Sequence, residues 1–175
     1  MSHKKQIHQF IKSKIKEGIP KKQIATELAS QYQKKEYKKL LENFPEPALK
    51  AKYKLLNNIL IASIIVVTLF KVLTIIVISL DFSIAVLPIF LIAGLAIPIL
   101  LITLIRSGQA TGYLVTALLT FASLKGLDEL PEVFTSGDPI VIGLAILHLL
   151  LIFTIIFLSI FLLRKIHPDY KLFSK

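Results

Sequence analysis

Two ionisable side chains stand inside otherwise aliphatic runs, and chemistry within this 175-residue chain would begin with them. Lys71 interrupts the stretch 59–80, and His148 interrupts the stretch 140–163. An imidazole titrates near neutrality and an ammonium responds to its surroundings, so such a pair could handle protons or ions. At about 100° per residue on a helix, Thr68 and Thr74 fall about 60° to either side of Lys71. Asn57 lies about 40° from it, and Ser63 and Ser79 about 80°. The polar residues therefore share one face, which should meet protein while the aliphatic face meets lipid.

The last apolar stretch is sorted in the same way. Ser159 lies within about 20° of His148, opposite the stripe Phe153, Phe157 and Phe161. Another seam comes from Gln109, Gly112, Thr116, Thr120 and Ser123, all within about 40° of one line. Small residues of this kind let helix backbones approach closely, either inside a bundle or between protomers.

Enzyme chemistry finds no support in these residues. Ser159 stands eleven residues from His148, about 16 Å along a helix, too far for a nucleophile and its base. No two acidic residues fall inside an apolar stretch, and no glycine loop suited to phosphate is present. Zero cysteine excludes thiol catalysis and zinc–thiolate sites, and His3, His8 and His167 have no ligand spacing. The expectation is no catalytic residue, no metal and no cofactor.

The elements that would position Lys71 and His148 are long apolar helices. The chain is 54% hydrophobic and 18% charged, and between Leu55 and Ile105 the charges are Lys71 and Asp81 alone. About 20 apolar residues are needed to cross roughly 30 Å of hydrocarbon. The stretches 59–80, 84–105 and 140–163 meet that length. A shorter stretch, 110–127, reaches it if Lys125 snorkels outward. Pro88 and Pro98, with Gly94 between them, should bend the second helix. Continuous apolar runs lack the alternation of barrel strands. The fold class read here is all-α: a polytopic integral membrane protein with a four-transmembrane-helix bundle over 55–165.

Orientation follows from the cations. Residues 1–54 hold 14 Lys, no Arg and five Glu, Arg106 lies in the 106–109 link, and four more cations follow Leu163. The tight 81–83 link and the acidic 125–139 connection carry one Lys between them, Lys125. Positive residues stay cytoplasmic, so both termini and the 106–109 link should face the cytoplasm of a cell (inner) membrane. With a basic, largely polar segment of 54 residues preceding the apolar stretches, no cleavable signal peptide is expected.

Residues 1–54 read as a basic helical region of about three short helices, and 166–175 as a cytoplasmic tail. Ile7, Phe10, Ile11 and Ile15 form one stripe, and Ile24, Leu28 and Tyr32 a second. A third comprises Tyr37, Leu40, Leu41 and Phe44. Gly18-Ile19-Pro20 and Pro45-Glu46-Pro47 separate them. The run 18–29 resembles the first helix and turn of a helix-turn-helix, with Ala29 where such motifs place a turn glycine. Nucleic acid is the least favoured partner, because Lys so outnumbers Arg. Lysines beside a membrane attract anionic headgroups.

The leading expectation is a non-catalytic accessory or assembly subunit of a membrane complex or homo-oligomer. Its joining surfaces would be the Lys71 face and the Gly112–Thr116 seam, with the basic region as a docking surface for protein or lipid. The alternative is a small homo-oligomeric channel or proton-coupled transporter using Lys71 and His148. A membrane-tethered nucleic-acid binder ranks third.

Overall fold

Apolar residues in the first 44 positions recur every three or four residues, and each stripe turns inward on one small core. The computed structural model describes residues 3–81, 87–124, 135 and 137–170, and all regular structure among them is helical. Helices α1 (His3–Lys16), α2 (Lys21–Ala29) and α3 (Lys34–Asn43) enclose Ile7, Ile11, Ile24, Leu28, Tyr37, Leu41 and Phe44. Gly18 ends α1 with φ +79°, a left-handed conformation in which Ile19 N–H reaches the Lys14 carbonyl at 3.1 Å. Pro20 stands one position before α2 rather than inside its first turn. At the start of α3, Gln33 N–H donates to Glu36 Oε2 at 3.0 Å as half of a capping box. Pro47 opens a further short helix, α4 (Pro47–Lys52), in the basic stretch that leads to the long helices.

Four longer helices follow: α5 (Lys54–Asp81), α6 (Leu87–Ser107), α7 (Ala110–Ala122) and α8 (Pro139–Ile166). They close a ring in which α5 and α7 each pack against both α6 and α8. Helix α5 starts five residues before the apolar stretch, and α8 runs three residues past it. Helix α7 stops at Ala122 and covers about 20 Å, while Lys125 and Leu127 lie outside the described residues. So do the 81–83 link beyond Asp81, most of the 125–139 connection and residues 171–175.

Two helices, Lys54–Ile76 and Pro139–Ile166, are long and apolar enough to cross a membrane. Only 22% and 11% of their most apolar windows are buried, unlike the core helix of a water-soluble fold. Leu69, Leu73, Leu147 and Phe157 stand exposed on them. The tight core lies at the end of the ring nearest the small helices, where Leu60, Ile64, Ile105, Tyr113, Ile155 and Leu162 meet.

Pro98 lies inside α6, where it removes a ladder bond, and Pro88 is the second residue of the helix as described, directly after residues 82–86, which lie outside the described part.

At Gly112 two helices of the ring approach closely. A Cβ there would meet the Leu104 carbonyl carbon and Leu104 Cβ, each at 2.9 Å, so α6 and α7 touch backbone to backbone. Gly143 on α8 faces open space. Gly112→Val should destabilise the protein by about 1–3 kcal/mol, while Gly143→Val leaves it unchanged within about 0.5 kcal/mol. Denaturant unfolding in detergent, followed by circular dichroism, checks both.

Candidate functional site

Beyond the tight core the four long helices part around a cavity of about 890 Å³. Helix α5 contributes Thr68, Lys71 and Thr74, α7 contributes Thr120 and its C-cap Ser123, and α8 contributes His148. Gly94 and Pro98 of α6 complete the wall. The first and last long helices are neighbours, and the Phe70 ring meets the His148 ring edge-on at 6.0 Å. Lys71 lies within electrostatic range of His148.

The hydroxyls are already engaged with their own helices. Thr68 Oγ1 donates to the Ile64 carbonyl at 2.7 Å, and Thr74 Oγ1 to the Phe70 carbonyl at 3.0 Å. Ser123 Oγ donates to the Thr120 carbonyl at 2.7 Å. This back-bonding spends the proton and leaves oxygen lone pairs for a donor in the cavity. Among the described residues, no carboxylate and no hydrogen-bond acceptor is paired with Lys71. Lys71 remains exposed, so the cavity is not sealed around it.

Not every sequence candidate reaches this cavity. Ser159 is fully buried in the helix contacts, with no hydrogen bond to its Oγ, and does not line the cavity. The seam of α7 divides. Gly112 and Thr116 are buried in contacts within the chain, Gln109 precedes the helix as its N-cap, and only Thr120 and Ser123 face the cavity. Asn57 accepts a hydrogen bond from Tyr113 Oη at 2.6 Å, far from Lys71. The side chain of Ser79 lies outside the described part.

A second polar cluster, which the spacing of residues did not reveal, surrounds the turn between α6 and α7. Lys50 Nζ donates to the carbonyls of Arg106 at 3.1 Å and Ser107 at 3.3 Å, closing the α6 C-terminus. Asn43 Oδ1 accepts from the Thr111 N–H at 3.0 Å, supplying the cap that Gln109 does not. His167 Nε2 donates to the Gly108 carbonyl at 2.8 Å. Gly108 itself has φ +75°, and a Cβ would crowd Lys50 and Pro45 at 3.1 Å. One four-residue turn is thus held by α3, α4 and the end of α8.

His167 and Lys21 are the buried ionisable groups of this cluster, 1% and 7% exposed. Burial, and then the charge of Lys21, push the His167 imidazole down from 6.5 to about 4, against the pull of the Gly108, Glu42 and Phe44 carbonyls. Burial also lowers Lys21, opposed by Asp169, Glu46 and Glu42. Lys50 is lowered by burial as well.

The sign of the pH effect follows. Between about pH 6.5 and pH 4 an unfolded His167 takes up a proton that the folded one refuses. Stability is therefore complete above about pH 7 and falls by about 3 kcal/mol as pH drops to 4. Unfolding measured across this range should show the loss, and His167→Gln should flatten it. A variant that keeps the full slope would contradict the assignment.

No family model, curated protein or solved structure matches the chain. The chemistry of both clusters rests on their own residues.

Proposed function

We propose that the chain is a multi-pass membrane protein whose α5, α6, α7 and α8 all cross the bilayer, with both termini cytoplasmic. Its role is that of a non-catalytic assembly or accessory subunit, and α1–α4 form a basic headpiece on the cytoplasmic side. The observation that carries this reading is the Lys71 ammonium. It stands deep within an apolar helix, no counter-charge meets it among the described residues, and the cavity leaves it accessible. Charges at such depth are retained where they meet a partner group. An anionic or acceptor-bearing group from another subunit would answer it. Nine residues, about 13 Å of helix, separate Lys71 from Leu80, beyond the reach of one snorkelling side chain.

Lys71→Leu should leave the protein membrane-inserted but change its assembly. Gentle solubilisation from native membranes, with size analysis and mass spectrometry of what accompanies the chain, reads this directly. Unchanged oligomer size and unchanged companions would count against the proposal.

The convergence of Lys71, His148, Thr120 and Ser123 on one cavity favours a second reading, a small channel or proton-coupled transporter. It predicts pH-dependent ion flux in proteoliposomes that disappears in Lys71→Leu and in His148→Phe. Flux absent from the unmodified protein rejects it.

A further inference from the structure

A second large pocket, about 860 Å³, lies where the headpiece meets α5 and the α6–α7 turn. Five cations line it: Lys12 and Lys16 of α1, Lys50 of α4, Lys54 at the start of α5, and Arg106 at the end of α6. None of its lining residues is acidic. Among the described residues, the ion pairs involve Lys14 and Lys38, and none of these five. Lys50 is engaged with the α6 carbonyls, while Lys12, Lys16, Lys54 and Arg106 are exposed.

The pocket changes character along α5. Lys54, Asn57 and Asn58 come first, and Ile61, Ala62 and Ile65 continue the wall one to two turns further. Lys54 to Ile65 covers about 16 Å of helix. Cations and amides thus give way to an aliphatic strip in the direction in which headgroups give way to acyl chains. A soluble phosphate would use only the first part of such a surface, whereas a phospholipid would use both.

We propose that this pocket binds an anionic membrane phospholipid, its phosphate among Lys12, Lys16, Lys54 and Arg106 and its acyl chain along Ile61 and Ile65. The proposal rests on the membrane reading above, with the junction at the cytoplasmic headgroup level. Basic pockets beside membrane helices on that side hold anionic headgroups, with each cation worth about fivefold in affinity.

The test uses the full chain in nanodiscs of phosphatidylcholine mixed with phosphatidylglycerol, after alkaline extraction has established whether it stays in the bilayer. Native mass spectrometry then counts the lipids each chain retains. Phosphatidylglycerol should be enriched over phosphatidylcholine, and Lys54→Gln and Arg106→Gln should each reduce that enrichment by about fivefold. Lys34→Gln with Lys35→Gln, exposed on α3 and outside the pocket, should leave it unchanged. A chain that stays inserted but shows no enrichment overturns the site alone. The same follows if the α3 pair lowers enrichment equally, or if inorganic phosphate or a short single-stranded oligonucleotide displaces the lipid. A chain removed by alkali overturns the membrane reading and the site together.

Discussion

An apolar medium tolerates a polar group only where another polar group answers it, and that constraint orders this molecule. At the α6–α7 turn the answers come from within the chain. Lys50 takes the carbonyls of Arg106 and Ser107, Asn43 takes the Thr111 N–H, and His167 takes the Gly108 carbonyl. These contacts join the headpiece to the long helices close to the buried core of the ring. In the cavity, among the described residues, Lys71 has hydroxyls and an imidazole near it but no carboxylate, and this asymmetry between a closed junction and an open cavity is what the functional proposal builds on.

The two regions also differ in how rigidly the side chains are specified. Around the turn, a left-handed glycine, a backbone-to-backbone helix contact at Gly112 and two deeply buried ionisable groups leave little freedom. Around Lys71, large aliphatic side chains of α5 and α8 face outward, and the cavity separates the helices. A stiff junction with a looser far half suits the proposed reading, in which lipid or another subunit completes the faces of the long helices.

Much of this was legible in the residue pattern, and the reasons are local. Ile7, Ile11, Ile24, Leu28, Tyr37 and Leu41 recur at helical spacing, and that spacing is what brings them into one core. The grouping of Thr68, Lys71 and Thr74 on α5 and the position of His148 on α8 follow from the same arithmetic, and these four residues line the cavity, whereas Asn57 and Ser63 of the same polar face do not. The turn cluster was not legible. Its contacts join residues 56 to 68 positions apart, and no periodicity links Lys50 to Ser107, Asn43 to Thr111 or His167 to Gly108. Ser159 shares a helix face with His148 yet sits several turns away, in contacts that exclude it from the cavity.

Topology is the claim on which the rest depends, and the absence of cysteine makes it directly measurable. Single cysteines placed at Lys4, Arg106, Asp138 and Lys165 can be exposed to a membrane-impermeant maleimide from each side of sealed vesicles. Four crossings predict that positions 4, 106 and 165 react from the cytoplasmic side and position 138 from the other. Reaction of positions 4 and 165 from opposite sides, or of all four from one side, would contradict the account.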